Sequence, residues 1–351
     1  MSTVHTPANS ATPPLDARLH AIQTWLTTPS MAEFGLNLAS LRPASKDASF
    51  RRYFRLDSET HGSLIVMDAA PPQENVTKFV KLAQLFSLCK LSVPQIFAQE
   101  LEQGFLLLAD FGETSYLHQL NADTAHRLYL DAIDALILLQ VHSRPDVLPE
   151  YDRPFLLREL QLFPEWFIGK HLQFSLNEKQ QKDLDKVFDV ILANNMAQAQ
   201  VFVHRDFHSR NLMVLQNGNP GILDFQDAVF GPITYDLASL LRDAYVQWDE
   251  EMVLDWVIRY WEKAKRANLP VNPDIDAFYR DFEFMGLQRH LKILGIFCRL
   301  NYRDGKNMYL HDLPLVLEYV RKTANRYTDL KPLLRLMDVL ENKQVQVGYT
   351  F

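Results

Sequence analysis

The chain has 351 residues, 47% of them apolar and 23% charged, with a formal net charge of −7. That length suits about two domains and supplies enough apolar material for a sizeable core. There is no basic block for a nucleic-acid partner, no apolar run near the ~18 residues of a membrane span, and the two cysteines lack metal-ligand spacing. A cytoplasmic protein is expected.

Residues 1–14 are rich in Ser, Thr and Pro, without the apolar core of a secretory signal, and are expected to form a disordered lead-in. Residues 16–28 place Leu19, Ile22, Trp25 and Leu26 at helical spacing. Over residues 36–67 the period shortens. Phe50, Phe54 and Leu56 alternate with Arg51, Tyr53 and Arg55, and Ser63 to Met67 follows a His61-Gly62 turn, so antiparallel strands are expected. A helix over 75–90 and strands at 93–97 and 105–108 complete a small lobe spanning 15–111. Helices are then predicted over 123–142, 155–172 and 178–194. They resume over 236–246, 250–267, 274–303 and 313–340, giving a large helical lobe over 112–351. The fold class is α+β: a bilobal, protein-kinase-like layout with a small antiparallel sheet and one helix first, and a mostly helical lobe second.

The interruption at 201–235 carries the chemistry. Residues 204–211 read His-Arg-Asp-Phe-His-Ser-Arg-Asn, followed by Leu223-Asp224-Phe225. The apolar runs 201–203 and 212–215 flank the motif, and Asn217-Gly218 is a hairpin turn into a short strand at 221–223. Asp206 and Asn211 thus share a loop, and Asp224 ends the next strand. A carboxylate for a substrate hydroxyl, then an amide and a carboxylate for Mg²⁺, is the set that phosphoryl transfer on a kinase-like scaffold needs, in that order. The same letters admit a hydrolytic metal cluster of His204, Asp206 and His208, but no third or fourth ligand follows at a related spacing and Asn211 is left without a role. His204 reads as a packing residue, and His208 as a contact for nucleotide or substrate.

Asp110-Phe111-Gly112 imitates a magnesium-binding triplet but precedes the catalytic loop. After the strand ending at Leu108 it reads as a hinge whose backbone groups, at Leu108 and Asp110, meet adenine. Asp236 opens a helix as a cap and braces the loop. Arg289, His290, Lys292, Arg299, Arg303 and Lys306 form a basic stretch whose face either meets an anion or is simply solvated. Glu165, Trp166 and Phe167 either stack on a sugar or pack in the core.

With these residues in hand, the chain resembles the aminoglycoside phosphotransferase/choline kinase family. Within it the chain is most like bacterial kinases that phosphorylate N-acetylmuramate and N-acetylglucosamine at carbon 1. The resemblance rests on residues 47–55, Ile65 to Asp68 with Pro71-Pro72, Arg158-Glu159-Leu160, Phe163 to Phe167, His204 to Asn211, 223–243, Met285 to Lys292, and Arg303 to Lys306. It implies Asp206 as catalytic base, Asn211 and Asp224 as Mg²⁺ ligands, and ATP as donor; His208, Glu159, Trp166, Arg289, His290 and Arg303 are expected around the sugar. The product is then a sugar 1-phosphate in peptidoglycan recycling. Another small-molecule kinase of the family, or a weakly catalytic pseudokinase-like binding module, stays open beside it. One departure matters. The family's third-strand lysine is missing from Leu64 to Asp68, and the preceding loop lacks glycine. Lys46, Arg51 and Arg52 are the nearest cations to replace it at the phosphates.

Overall fold

The computed structural model describes residues 16–44, 51–71 and 76–341. The expected lead-in, Lys46 and Phe50 lie outside them. Two compact units divide the chain: Met1–Val80 with Pro94–Asp110, and Lys81–Val93 with Phe111–Phe351.

In the first unit, α1 (Ala17–Leu26) starts at Asp16, whose carboxylate accepts from the N–H groups of Arg18 and Leu19, each at 3.1 Å. A 3₁₀ turn, Pro29–Phe34, leads into β1 (Leu36–Pro43), β2 (Arg51–Ser58), β3 (Gly62–Ala69), β4 (Ile96–Glu100) and β5 (Phe105–Ala109). They form one antiparallel sheet in the order β1-β2-β3-β5-β4. The register sets Leu56 opposite Leu64 and Val66 opposite Leu107. Alternation therefore sends Phe54, Leu56, Leu64, Val66, Phe105 and Leu107 to one face. There Ile22, Trp25, Leu26, Met31 and Phe34 close a core over them. β4 begins at Ile96 and not at residue 93, because Pro94 brings no N–H to a ladder. The unit division falls within α2 (Val76–Leu88), between Val80 and Lys81.

The second unit contains α3 (Tyr116–Gln119), α4 (Ala125–Val141), α5 (Arg153–Leu160) and α6 (Glu178–Ala197). Strands β6 (Gln200–Val203), β7 (Leu212–Met213), β8 (Gly221–Ile222) and β9 (Val229–Pro232) follow, then α7 (Tyr235–Leu241), α8 (Glu250–Arg266), α9 (Ile275–Asp304), α10 (Leu313–Arg326) and α11 (Lys331–Leu340). β6 pairs with β9 and β7 with β8, both antiparallel.

Two predicted helices are broken. The one expected over 155–172 ends at Leu160 and continues as a π-helical segment, Phe163–His171. Pro164 has no N–H for an i−4 bond, and the ladder widens, with the Leu172 N–H reaching the Phe167 carbonyl at 3.0 Å. The one expected over 313–340 breaks at Tyr327, which is extended, and α11 begins at Lys331 with Pro332 in its first turn, where the missing N–H is not needed.

α9 is the central helix: every residue from Phe282 to Lys292 is buried. It presses its backbone against the turn after α5, since a Cβ on Gly295 would lie 2.3 Å from the Leu162 carbonyl oxygen. Gly295→Ala is expected to lower the unfolding free energy by about 1–3 kcal/mol in urea titration. An unchanged midpoint would contradict this close approach.

Candidate active site

β6 delivers the chain into His204, which is wholly buried. Its Nδ1 accepts from the Asp206 N–H at 3.2 Å, so Nε2 carries the proton and donates to the Leu223 carbonyl at 3.0 Å. Burial pushes this imidazole down to about 4, so it stays neutral. His204 therefore ties the loop that bears Asp206 to the residue preceding Asp224.

Arg205 adopts φ +78° and Asp224 φ +63°, left-handed conformations that are costly for side chains with a Cβ and persist only where the surroundings enforce them. At Arg205 the enforcement is visible. Asp236, at the start of α7, accepts the His204 and Arg205 N–H groups at 2.6 and 3.0 Å. Arg289 of α9 donates to the Arg205 carbonyl at 2.9 Å. The Arg205 guanidinium meets Glu159 of α5 at 2.6 Å and lies over Phe155 and Tyr151. Lys292 reaches the same Glu159 oxygen at 3.0 Å and the Tyr235 hydroxyl at 3.1 Å, while the Tyr151 hydroxyl donates to the other oxygen. Burial opposes charge on Glu159, but Lys292 and Arg205 outweigh it and hold the carboxyl below its ordinary range.

Asp206 is half-buried above this network. Burial raises its proton affinity, but Lys292, His208, Arg289 and Arg205 more than offset that, so it is ionised at neutral pH. Its carbonyl accepts from the Asn211 amide at 3.0 Å, and the same amide lies 3.4 Å from Asp224 Oδ2. Asn211 and Asp224 thus converge, with the Asn211 oxygen left to accept, and Gln226 donates to Asp224 Oδ1 at 2.5 Å. One amide oxygen and one carboxylate suit Mg²⁺, which fills its shell with water and phosphate oxygens. Among the described residues no group of three or more His, Cys, Asp or Glu is placed to hold a metal, so the hydrolytic-cluster reading has no cage to rest on.

Asp243, just past α7, accepts from the N–H and hydroxyl of Ser209, at 3.0 and 2.5 Å, and pins the middle of the loop. His208 sets its ring edge on Tyr245, with its Nδ1 buried and without a partner among the described residues. The Arg210 guanidinium lies 3.6 Å over the Tyr245 ring.

The other expected site residues are dispersed. Glu159 and Arg289 both bond Arg205 and so support the 204–211 loop. Trp166 is half-buried on the π-helical segment. Arg303 is exposed and binds Asp304 at 2.7 and 3.0 Å. His290 is buried and bonded to the Arg242 carbonyl at 3.0 Å, and burial pushes it down to about 3. An unfolded histidine binds its proton near 6.5, so His290 contributes stability that is complete above that pH and is lost as pH falls toward about 3. The stability gap between wild type and His290→Gln is therefore expected to shrink by about 2 kcal/mol from pH 7.5 to 5.0, read by urea unfolding. A constant gap would contradict a neutral buried imidazole.

In the first unit, Arg52 binds Asp68 at 2.6 Å and also pairs with Asp16, and Arg18 takes the other Asp68 oxygen. The third strand thus presents a carboxylate that receives two arginines. Arg51 opens β2 opposite Ala69, and Leu108 is buried opposite Ile65. The Asp110 carboxylate binds Arg55 at 2.5 and 3.0 Å and Ser63 at 2.8 Å, so its side chain serves the sheet of the first unit.

An antiparallel sheet ahead of a helical part, with this loop between short strands, defines a class. The chain belongs to the phosphotransferase enzyme family, whose model matches residues 40–269. It is 49% identical over 313 residues to the N-acetylmuramate/N-acetylglucosamine kinase of Neisseria meningitidis serogroup B, covering 88% of this chain and 93% of that one. The N-acetylmuramate/N-acetylglucosamine kinase of Pseudomonas putida is 43% identical over 335 residues, covering 94% and 98%. Among solved structures, a choline kinase from Cryptosporidium parvum is similar in fold, with a TM-score of 0.62 at 13% identity, covering 91% of this chain and 99% of that one. No helix among the described residues is long and apolar enough to cross a membrane.

Proposed function

We propose that this protein transfers the γ-phosphoryl group of ATP to the anomeric hydroxyl of N-acetylmuramate, N-acetylglucosamine or both, giving a sugar 1-phosphate. The observation that carries the reading is Asp206: an ionised carboxylate on a braced loop, beside the converging Asn211 and Asp224. Asp206 orients the acceptor hydroxyl and takes its proton as the oxygen attacks phosphorus and ADP departs. An anomeric hydroxyl is more acidic than an ordinary alcohol because the ring oxygen withdraws charge, so one carboxylate suffices. Asn211 and Asp224 are the residues that hold Mg²⁺, which when bound neutralises phosphate charge. Lys46, Arg51 and Arg52 are assigned to the ATP phosphates, and the backbone at Leu108 and Asp110 to adenine. The choice of sugar is supported by the relative at 49% identity. The setting that follows is cytoplasmic peptidoglycan recycling, with the product feeding nucleotide-linked cell-wall precursors.

The intact Asp206, Asn211 and Asp224 set argues against a pseudokinase-like module. A mass-spectrometric assay with ATP, Mg²⁺ and a panel of amino sugars, neutral sugars, choline and aminoglycosides tests the reading. Phosphorylation of the two named amino sugars is expected. Turnover of only choline or an aminoglycoside would overturn it.

A further inference from the structure

α9 carries a stripe of cations, Arg289, Lys292, Arg299 and Arg303, at spacings that keep them near one face. The stripe starts at the catalytic loop, where Arg289 is bonded to the Arg205 carbonyl and Lys292 to Glu159 and Tyr235. It ends in solvent, where Arg303 is bonded to Asp304. Arg299 lies between and is different. It is half-buried, it has no hydrogen bond or ion pair among the described residues, and its Nε is buried with nothing to donate to. Burial and the neighbouring Arg303 lower its proton affinity, and neither Asp304 nor Glu165 approaches to pair with it. A guanidinium partly withdrawn from water without an acceptor is costly to maintain, and a carboxylate would satisfy it bidentately.

The position is apt. Arg299 is two helical turns past Lys292, roughly 10 Å along the axis, and side chains on a helix lean back toward its N-terminus. The guanidinium therefore leans back along α9 toward the Lys292 end, which packs beneath the loop that bears Asp206. Across from this stretch of α9 is the π-helical segment with Glu165 and Trp166, held there by Tyr302 and His171 at 3.1 Å. A π-helical turn is a frequent mark of a functional site.

We infer that Arg299 binds a carboxylate on the acceptor sugar and so sets the preference for an acidic amino sugar over a neutral one. The inference rests on the amino-sugar kinase reading, and N-acetylmuramate supplies the carboxylate through its lactyl ether, which N-acetylglucosamine lacks.

The test is a steady-state comparison of both sugars with wild type, Arg299→Gln and Arg299→Lys. Arg299→Gln is expected to raise KM for N-acetylmuramate by about 10- to 100-fold, the loss of a charge-assisted pair, while KM for N-acetylglucosamine moves by less than about 2-fold. Arg299→Lys is expected to recover part of the difference, since it keeps the charge but not the fork. The methyl ester of N-acetylmuramate, offered to wild type, is expected to behave as the free acid does with Arg299→Gln, and this arm needs no variant to fold. Equal effects on both sugars, or an ester as good as the acid, would overturn the inference. Wild type inactive on both sugars would instead overturn the functional reading.

Discussion

Asp206→Asn is expected to lower kcat by roughly 10²- to 10⁴-fold, the usual worth of a positioned acid–base group, while the protein stays folded. The loop is held by main-chain bonds at Asp206: its N–H to His204, and its carbonyl to the Asn211 amide and the His208 N–H. None of these needs the carboxylate. An amide in its place keeps the shape but accepts no proton, so the loss should appear in kcat, with KM for ATP little changed. Steady-state kinetics with circular dichroism as the folding control read both quantities. A variant that retains more than about a tenth of wild-type kcat would remove Asp206 from the proton transfer.

Glu159→Gln is expected to destabilise the protein by about 3–5 kcal/mol, because it strands Arg205 and Lys292 in the interior without their shared anion. It should also lower kcat, since the Arg205 guanidinium is one of the contacts that hold the residue before Asp206 at φ +78°. The double variant Glu159→Gln, Lys292→Met removes one of the two stranded cations and is expected to recover part of the stability. Urea unfolding of the single and double variants measures this coupling. An unperturbed Glu159→Gln would mean that the buried pairs contribute nothing to the loop.

The convergence of Asn211 and Asp224 beside Asp206 was legible because His204 to Asn211 and Asp224 lie close in sequence and flank short apolar strands. The sheet of the first unit was legible from its period-two alternation at Phe54, Leu56, Leu64 and Val66. The support beneath the loop was not. Glu159, Arg205 and Lys292 come from α5, the loop and α9, and no local pattern announces an ion pair between residues so far apart. Hence Glu159 and Arg289 read as sugar contacts, although the fold places both under Arg205. Arg18 was missed for the same reason: only the packing of α1 brings it to Asp68. The break at Pro164 did have a local signal, a proline inside a predicted helix, and the π-helical continuation is its consequence. Arg299 was visible only as one cation of a stripe. Its lack of a partner among the described residues appears once α9 is packed and its neighbours are bonded elsewhere.

The most direct measurement is a ³¹P NMR spectrum of the purified protein after incubation with ATP, Mg²⁺ and N-acetylmuramate, beside Asp206→Asn under the same conditions. Wild type is expected to give a new phosphomonoester resonance coupled to the anomeric proton, with ADP formed in equal amount, and Asp206→Asn to form it at least about 100-fold more slowly. A resonance coupled to any other ring proton, or product from Asp206→Asn at more than about a tenth of the wild-type rate, would contradict this.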